Sequence, residues 1–343
     1  MPNAADRPPI LVTGATGLLG SHVAERLVAS GDRVRALVRP GSDTRFLETL
    51  EVELIPGDLT DPGSLDRAVQ GVATIYHCAA KVGDWGAWAE FQSGCIDATA
   101  NLARVAIEHR VGRFLHISST SAYGHPAEGG PPIDEAAPLG QRLWPIWDYY
   151  TRSKVESERV LWDLHENRGL PLTIIRPSWL YGERDRTTLK RLVGRLQAGK
   201  VPLIGRGDNP LSAIYAGNVA GAAILAANDP GSIGEAYNVT HQGQITQREF
   251  LNLFADACGA PRPSRSLSYP AVFAVSLILE AVGRAFRGRR PPLMTRYATW
   301  LMGRNTSYSM DKAEVGLIWE PEIGNRESIE RSVRWFLEQN PAG

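Results

Sequence analysis

The chain predicts an α/β fold: a doubly wound parallel sheet followed by a smaller, mostly helical C-terminal region. Three observations carry that expectation. Short apolar runs alternate with helical patterns from Ile10 to Pro177. A glycine-rich turn, Gly14–Gly20, joins the first apolar run to the first helical pattern. Beyond Pro177 the alternation loosens, and the last hundred or so residues read as mainly helical.

Taken in order, Ile10–Thr13 is a strand, and His22–Ser30 is a helix that stops at Gly31. Arg33–Val38 and Val52–Ile55 are strands on either side of a short helix in Gly41–Leu50. Pro62 suits the first turn of a helix running through Ser64–Gln70. Ala73–Ala80 is a strand, Trp88–His109 a long helix and Phe114–Ser118 a strand. Gly124–Trp147, rich in glycine and proline, reads as a loop. A helix then runs to about Asn167, and Leu172–Arg176 is the next strand. Further on, Arg186–Ala198, Val219–Ala227, Gln247–Ala257 and Glu327–Glu338 read as helices; Pro202–Ile204, Leu211–Tyr215 and Ala236–Val239 read as strands. The expected division puts a dinucleotide-binding domain at 1–182 and a substrate-binding lid at 183–343, with about 211–240 returning to the first domain.

Composition excludes some function classes. Of 343 residues 43% are apolar and 22% charged, with 37 basic side chains against 37 acidic ones. That balance argues against nucleic acid as a partner and against a membrane held by global charge. Cys78, Cys95 and Cys258 have no metal-ligand spacing and read as reduced thiols. The N-terminal M-P-N-A-A-D-R-P-P lacks an apolar core, so a cytoplasmic protein is expected.

Gly14, Gly17 and Gly20, with Thr16 and Leu18 between them, form a G-x-x-G-x-x-G turn between strand and helix. Glycines let a pyrophosphate approach the backbone, and the helix N-terminus offers unpaired N–H groups. Where an NAD site usually places a carboxylate, this chain has Arg39, with Arg45 a turn later. A guanidinium there stacks on adenine and pairs with a 2′-phosphate, so NADP(H) is preferred and NAD(H) stays open. The alternative for Arg39 is a solvated loop residue. Asp58, followed by Leu59, would accept from the adenine amino group or cap the helix near Pro62.

Tyr150 and Lys154 are i and i+4, about 40° apart around a helix, whereas Tyr149 is about 140° from Lys154. A free phenol has a pKa of about 10, and a neighbouring ammonium favours its ionised form. Ser118 and Ser119 end the strand before, where an open parallel sheet presents its crevice.

The motifs G-A-T-G-L-L-G, H-C-A-A, I-S-S-T-S-A-Y-G, Y-T-R-S-K and I-I-R-P-S-W-L-Y-G resemble those of extended short-chain dehydrogenases/reductases, in order, over Ile10–Gly182. His77–Gly86 and Pro291–Arg296 resemble the 3β-hydroxysteroid dehydrogenase and dihydroflavonol reductase-like branch. The resemblance implies a Rossmann-type sheet and a triad of Ser119, Tyr150 and Lys154. Ser119 is taken over Ser118 because the catalytic hydroxyl of the family lies five residues before the glycine of Y-G, here Gly124. It also implies that Cys78, Ala79 and Ala80 line the cofactor and that Pro177 packs near the nicotinamide. One departure is Cys95, which stands where many relatives have asparagine.

These residues imply hydride transfer between a nicotinamide and a secondary alcohol or ketone. The alternatives are sugar-nucleotide epimerisation, with Arg184, Arg186, Lys190, Arg191 and Arg195 meeting a diphosphate, and a regulator that binds cofactor without turnover. Dehydration is disfavoured because Thr120 and Ser121 replace the acidic pair of dehydratases. Trp85, Trp88, Trp144, Trp147 and Trp179 suggest a hydrophobic, flat substrate, steroid-, flavonoid- or β-keto acid-like.

Tyr269–Phe286 is the most apolar stretch, with Val272, Val275, Leu279, Val282 and Phe286 on one stripe. Arg284, Arg287, Arg289 and Arg290 follow it or end it. It reads either as a buried lid helix or as a peripheral membrane contact over 269–290, and Glu280 argues against a span. The resemblance further suggests a homodimer through Trp88–His109 and Tyr150–Asn167.

Overall fold

The computed structural model describes residues 7–240, 245–286 and 290–340. Its strands in chain order are β1 (Ile10–Thr13), β2 (Val34–Val38), β3 (Val52–Pro56), β4 (Thr74–His77), β5 (Arg113–Ile117), β6 (Leu172–Pro177), β7 (Trp179–Tyr181), β8 (Leu203–Ile204), β9 (Ala213–Tyr215), β10 (Glu235–Val239) and β11 (Ser266–Leu267). The helices are α1 (Leu18–Ala29), α2 (Arg45–Glu48), α3 (Pro62–Val69), α4 (Trp88–Phe91), α5 (Ala98–Glu108), α6 (Tyr149–Arg168), α7 (Thr188–Gln197), α8 (Ala216–Asn228), α9 (Gln247–Ala257), α10 (Tyr269–Ala285), α11 (Arg296–Gly303), α12 (Asp311–Gly316) and α13 (Asn325–Gln339).

Seven strands make one sheet in the order β3-β2-β1-β4-β5-β6-β10, every neighbouring pair parallel. Parallel neighbours need crossovers, and the crossover helices cover both faces. On one face α1 and α8 bury Leu19, Val23 and Leu27 against Val219 and Ala223. On the other, α3, α5 and α6 bury Leu65, Leu102 and Leu161 against Phe114 and Leu172. The sheet is therefore doubly wound, as the alternation of runs predicts. A third core, under α7, α9 and α13, packs Tyr181, Val193, Phe250, Phe254 and Val333.

Two expected elements differ in detail. The Trp88–His109 pattern is broken: a π-helical segment, Gln92–Asp97, separates α4 from α5. Gly94, a poor helix former, lies inside that widened turn, and the turn keeps Phe91 and Cys95 buried on one side. The helix near Pro62 is capped not by Asp58 but by Asp61, whose carboxylate accepts from the Gly63 N–H at 3.1 Å.

Buried polar pairs tie the centre of the sheet together. Arg176 on β6 grips Glu158 of α6 at 2.7 Å, and its other nitrogen donates to Tyr123 Oη at 2.8 Å. Tyr123 in turn donates to Asn238 on β10 at 2.7 Å. His77 on β4 bridges Thr13 Oγ1 at 2.7 Å and Thr99 Oγ1 at 2.9 Å.

Candidate active site

The glycine turn follows β1 directly. Gly14 has φ 68, a left-handed value that other residues adopt at a cost. A Cβ there would lie 2.7 Å from Ala79 N and 2.9 Å from Cys78 C. The turn and the backbone after β4 are thus pressed together, and Gly14, Cys78 and Ala79 share one wall of the crevice. Gly17 is the N-cap of α1, so the helix starts at Leu18, four residues before the expected His22. A Cβ on Gly20 would lie 2.2 Å from Gly14 O, so glycine lets α1 pack on its own turn. These bare backbone surfaces beside free helical N–H groups fit a dinucleotide pyrophosphate.

The far end of the crevice holds Arg39 and Asp58, at the C-terminal ends of β2 and β3. The Arg39 side chain is exposed and, among the described residues, forms no hydrogen bond or ion pair, while its carbonyl accepts from the Ser42 N–H at 3.0 Å. Asp58 accepts from the Thr60 N–H at 2.8 Å and the Thr60 hydroxyl at 2.6 Å. Those bonds from Thr60 pull its pKa down, and the Arg39 charge adds a smaller effect. Arg45 is not available in the same way: both arms of its guanidinium hold Asp43, at 2.9 and 2.8 Å.

Tyr150 lies in the first turn of α6, and Lys154 one turn on, buried under it. Lys154 Nζ donates to Ile117 O, the last carbonyl of β5, at 3.3 Å. The ammonium therefore sits where β5 ends and Ser118–Ser119 begin. Ser118 is turned inward and donates to buried Glu158. Ser119 instead accepts from the Ser121 N–H at 3.1 Å and donates to Ser121 Oγ at 3.0 Å. The two adjacent serines thus take different partners, Ser118 the buried Glu158 and Ser119 the Ser121 hydroxyl and N–H.

Beneath Lys154 lies a set of neutral buried groups. Burial first, and the Lys154 charge second, pull the His77 pKa down to about 3. Burial pushes the Cys78 thiol up to about 12. Burial also holds His116 well below the usual histidine range.

Two contributors were not read from the sequence. Tyr297, on α11, bonds Ser121 Oγ at 2.6 Å. Its ring meets Tyr150 edge to face, 5.2 Å between centroids. A hydroxyl chain thus runs Tyr297–Ser121–Ser119. The available signal was adjacency: Tyr297 directly follows the Pro291–Arg296 segment, and Ser121 lies within I-S-S-T-S-A-Y-G. The second is Arg284 of α10, whose guanidinium stacks on Trp85 at 4.5 Å, Tyr149 at 5.0 Å and Trp147 at 5.2 Å.

The tryptophans are therefore largely occupied in holding the lid. Trp144 stacks on His125, with ring planes 4° apart, and on Arg296 at 4.9 Å. Trp88 packs on Tyr149 and under Arg152. Trp179 packs on Phe250 in the third core. Of the arginines considered for a diphosphate, Arg184 is bonded to Ser21 at 2.8 Å and Glu25 at 2.7 Å. Arg186 is paired with Asp43 at 3.2 Å, and Arg195 donates to Lys200 O at 3.0 Å.

The Tyr269–Phe286 stretch is helical, and no helix among the described residues is long and apolar enough to cross a membrane. It is not a buried lid helix: Val275, Ile278, Val282 and Phe286 are all exposed. Arg287 and Arg289 lie outside the described residues.

Comparison with known proteins agrees with this architecture. The profile of the NAD dependent epimerase/dehydratase family matches residues 10–240. A 2-alkyl-3-oxoalkanoate reductase of Stenotrophomonas maltophilia is 30% identical, over 94% of this chain and 97% of the relative. A 3 beta-hydroxysteroid dehydrogenase/Delta 5-->4-isomerase of Mycobacterium tuberculosis is 29% identical, over 96% of this chain and 90% of its own. The crystal structure of gox2253 superposes with a TM-score of 0.82 at 29% identity, covering 98% of this chain and 100% of that one. A UDP-glucuronic acid 4-epimerase from Bacillus cereus, at 20% identity and TM-score 0.75, shares the fold over 97% of this chain and 99% of its own. With its glycine turn, all-parallel sheet and Tyr150–Lys154 helix, this chain belongs to the NAD dependent epimerase/dehydratase family, the extended short-chain dehydrogenases/reductases, and is an NAD(P)-dependent oxidoreductase.

Proposed function

We propose that the chain interconverts a ketone and a secondary alcohol on a hydrophobic small molecule of the 3-oxoalkanoate or steroid class, with NADP(H) preferred over NAD(H). The observation that supports this reading is that Tyr150 and Lys154 lie one turn apart on α6, Lys154 Nζ bonds the carbonyl that ends β5, and Ser119 is linked through Ser121 to Tyr297, whose ring meets Tyr150. A dinucleotide with its pyrophosphate in the glycine cradle would supply or accept the hydride through its nicotinamide. In the reducing direction Tyr150 gives its proton to the forming alkoxide, with the Lys154 ammonium one helical turn away. Ser119 holds the carbonyl oxygen so that the developing negative charge meets a hydroxyl donor. Oxidation runs through the same groups in reverse.

Two features favour net oxidoreduction over epimerisation. Arg184, Arg186 and Arg195 are already bonded to protein groups, so they are poor candidates for a diphosphate clamp. The relatives named above act, by name, on a 2-alkyl-3-oxoalkanoate and on a 3β-hydroxysteroid. The NADP(H) preference rests on Arg39, whose exposed side chain has no bonding partner among the described residues, at the end of β2 where a carboxylate would repel a 2′-phosphate.

A substrate screen tests the reading. Purified protein is given NADPH or NADH with 2-alkyl-3-oxoalkanoates, ketosteroids and UDP- or dTDP-sugars, and cofactor absorbance is followed. Loss of absorbance with the lipophilic ketones, faster with NADPH, is the expected result. Conversion of a nucleotide sugar with no net change in cofactor would overturn it.

A further inference from the structure

Helix α10 is built inside out. Ser276 and Glu280 are buried, bonded to Thr299 at 2.8 Å and to Arg296 at 2.9 Å. Arg284 continues that inward face and lies against Trp85. The nearly opposite face carries Val275, Ile278, Val282 and Phe286, which are 53%, 61%, 49% and 83% exposed. A helix on the surface of a water-soluble protein turns its apolar stripe inward and its charges outward. Here the order is reversed, and Leu267 before the helix and Leu293 after it are exposed as well. A contiguous apolar patch of this kind marks a surface that is covered in use.

Charge identifies what covers it. The chain as a whole is neutral, yet Ala257–Met310 contains eight arginines, two of which, Arg262 and Arg304, pair with Asp256 and Glu128 outside it, and a single acid, Glu280. That acid is consumed by Arg296. Arg265 and Arg290, which flank the helix at its two ends, are exposed. A second copy docked face to face through a two-fold axis would bring these like charges together. An anionic lipid surface neutralises them while the stripe enters the headgroup–acyl boundary. The 17 residues of α10 span about 26 Å lying flat, and nothing in the helix supports a crossing.

We propose that α10 is a membrane-docking surface for anionic bilayers. Through Arg284 the helix touches Tyr149, the neighbour of Tyr150, so docking places the candidate active site beside the lipid. A lipophilic substrate then reaches Tyr150 from the bilayer without crossing water. Docking stands on the helix alone; only the delivery of substrate rests on the function proposed above.

The test uses the full chain and vesicles of phosphatidylcholine, alone or mixed with phosphatidylglycerol, in a co-sedimentation assay with light scattering in parallel. Wild type should pellet with the mixed vesicles and remain in solution with phosphatidylcholine alone. The double variant Val282→Ser/Phe286→Ser should partition at least tenfold less while keeping its melting temperature, because both side chains face solvent. Arg265→Gln/Arg290→Gln should reduce the preference for anionic vesicles. Wild type that stays in the supernatant with mixed vesicles, or a serine variant that pellets as wild type does, overturns the proposal. So does a dimer in solution that the serine variant abolishes, since a second copy would then cover the face. No turnover is read in this assay, so its outcome is independent of the substrate class.

Discussion

Substituting alanine for Gly20 puts one methyl group where the cofactor cradle has no room. The new Cβ would lie 2.2 Å from Gly14 O, 2.6 Å from Gly14 C and 3.0 Å from Ala15 Cα. All three are backbone atoms of the turn, so no rotamer change relieves them. Restoring ordinary contact requires about 1 Å of separation between α1 and the turn. Helix α1 cannot retreat freely, because Val23 and Leu27 are packed with Val219 and Ala223 of α8. The turn itself must open, carrying the Gly17 cap and its N–H groups away from the pyrophosphate. Overpacking of this kind costs about 1–3 kcal/mol of stability. Loss of one charge-assisted hydrogen bond to phosphate costs about 1.5–3 kcal/mol of binding, which is roughly ten- to hundredfold in Kd. The assay is an NADPH fluorescence titration beside thermal unfolding. Gly194→Ala is the control: in α7, with nothing within 4 Å, it should gain up to about 1 kcal/mol in stability and leave binding unchanged. Binding of NADPH by Gly20→Ala within twofold of the parent would refute the reasoning.

Three further outcomes are expected. Tyr297→Phe removes the hydroxyl that bonds Ser121, so kcat should fall by about two- to tenfold, the worth of one hydrogen bond, with NADPH affinity unchanged; parent-like kcat would remove Tyr297 from the catalytic chain. Glu158→Ala leaves buried Arg176 without its anion and Ser118 without its acceptor, at a cost of about 3–5 kcal/mol in urea unfolding; a loss below about 1 kcal/mol would show that water replaces the carboxylate. His22, His77 and His116 are held neutral by burial, with His77 lowered to about 3. Their folded pKa values lie below the unfolded value of about 6.5, so the unfolded chain binds protons that the folded chain refuses. Stability should be level above about pH 6.5 and fall below it, by about 1.4 kcal/mol per pH unit for each histidine. Urea midpoints from pH 7.5 to 5.5 measure this, His77→Gln should lessen the slope, and a flat profile would contradict it.

What the sequence determined by itself was the part governed by short-range geometry. The run Ile10–Thr13, its glycine turn and the helix behind it are set by neighbours within about ten residues. The Tyr150–Lys154 spacing is likewise a property of one helix. Strand alternation predicts a doubly wound parallel sheet, and the sheet is all parallel. Family spacing singled out Ser119 over Ser118, but only the tertiary structure supplied a physical difference between them, the bond from Ser118 to Glu158, 40 residues on. The same holds for Tyr297, which meets Ser121 across 176 residues, and for the aromatic box around Arg284. Arg45, a turn beyond Arg39 in the sequence, is held by Asp43. The periodicity of Tyr269–Phe286 told of an apolar stripe but not which way it faced. A stripe is a local repeat, whereas its orientation is set by Glu280 finding Arg296 and Arg284 finding Trp85. Those buried charges need partners more than the valines need burial, and so the apolar face was left outward.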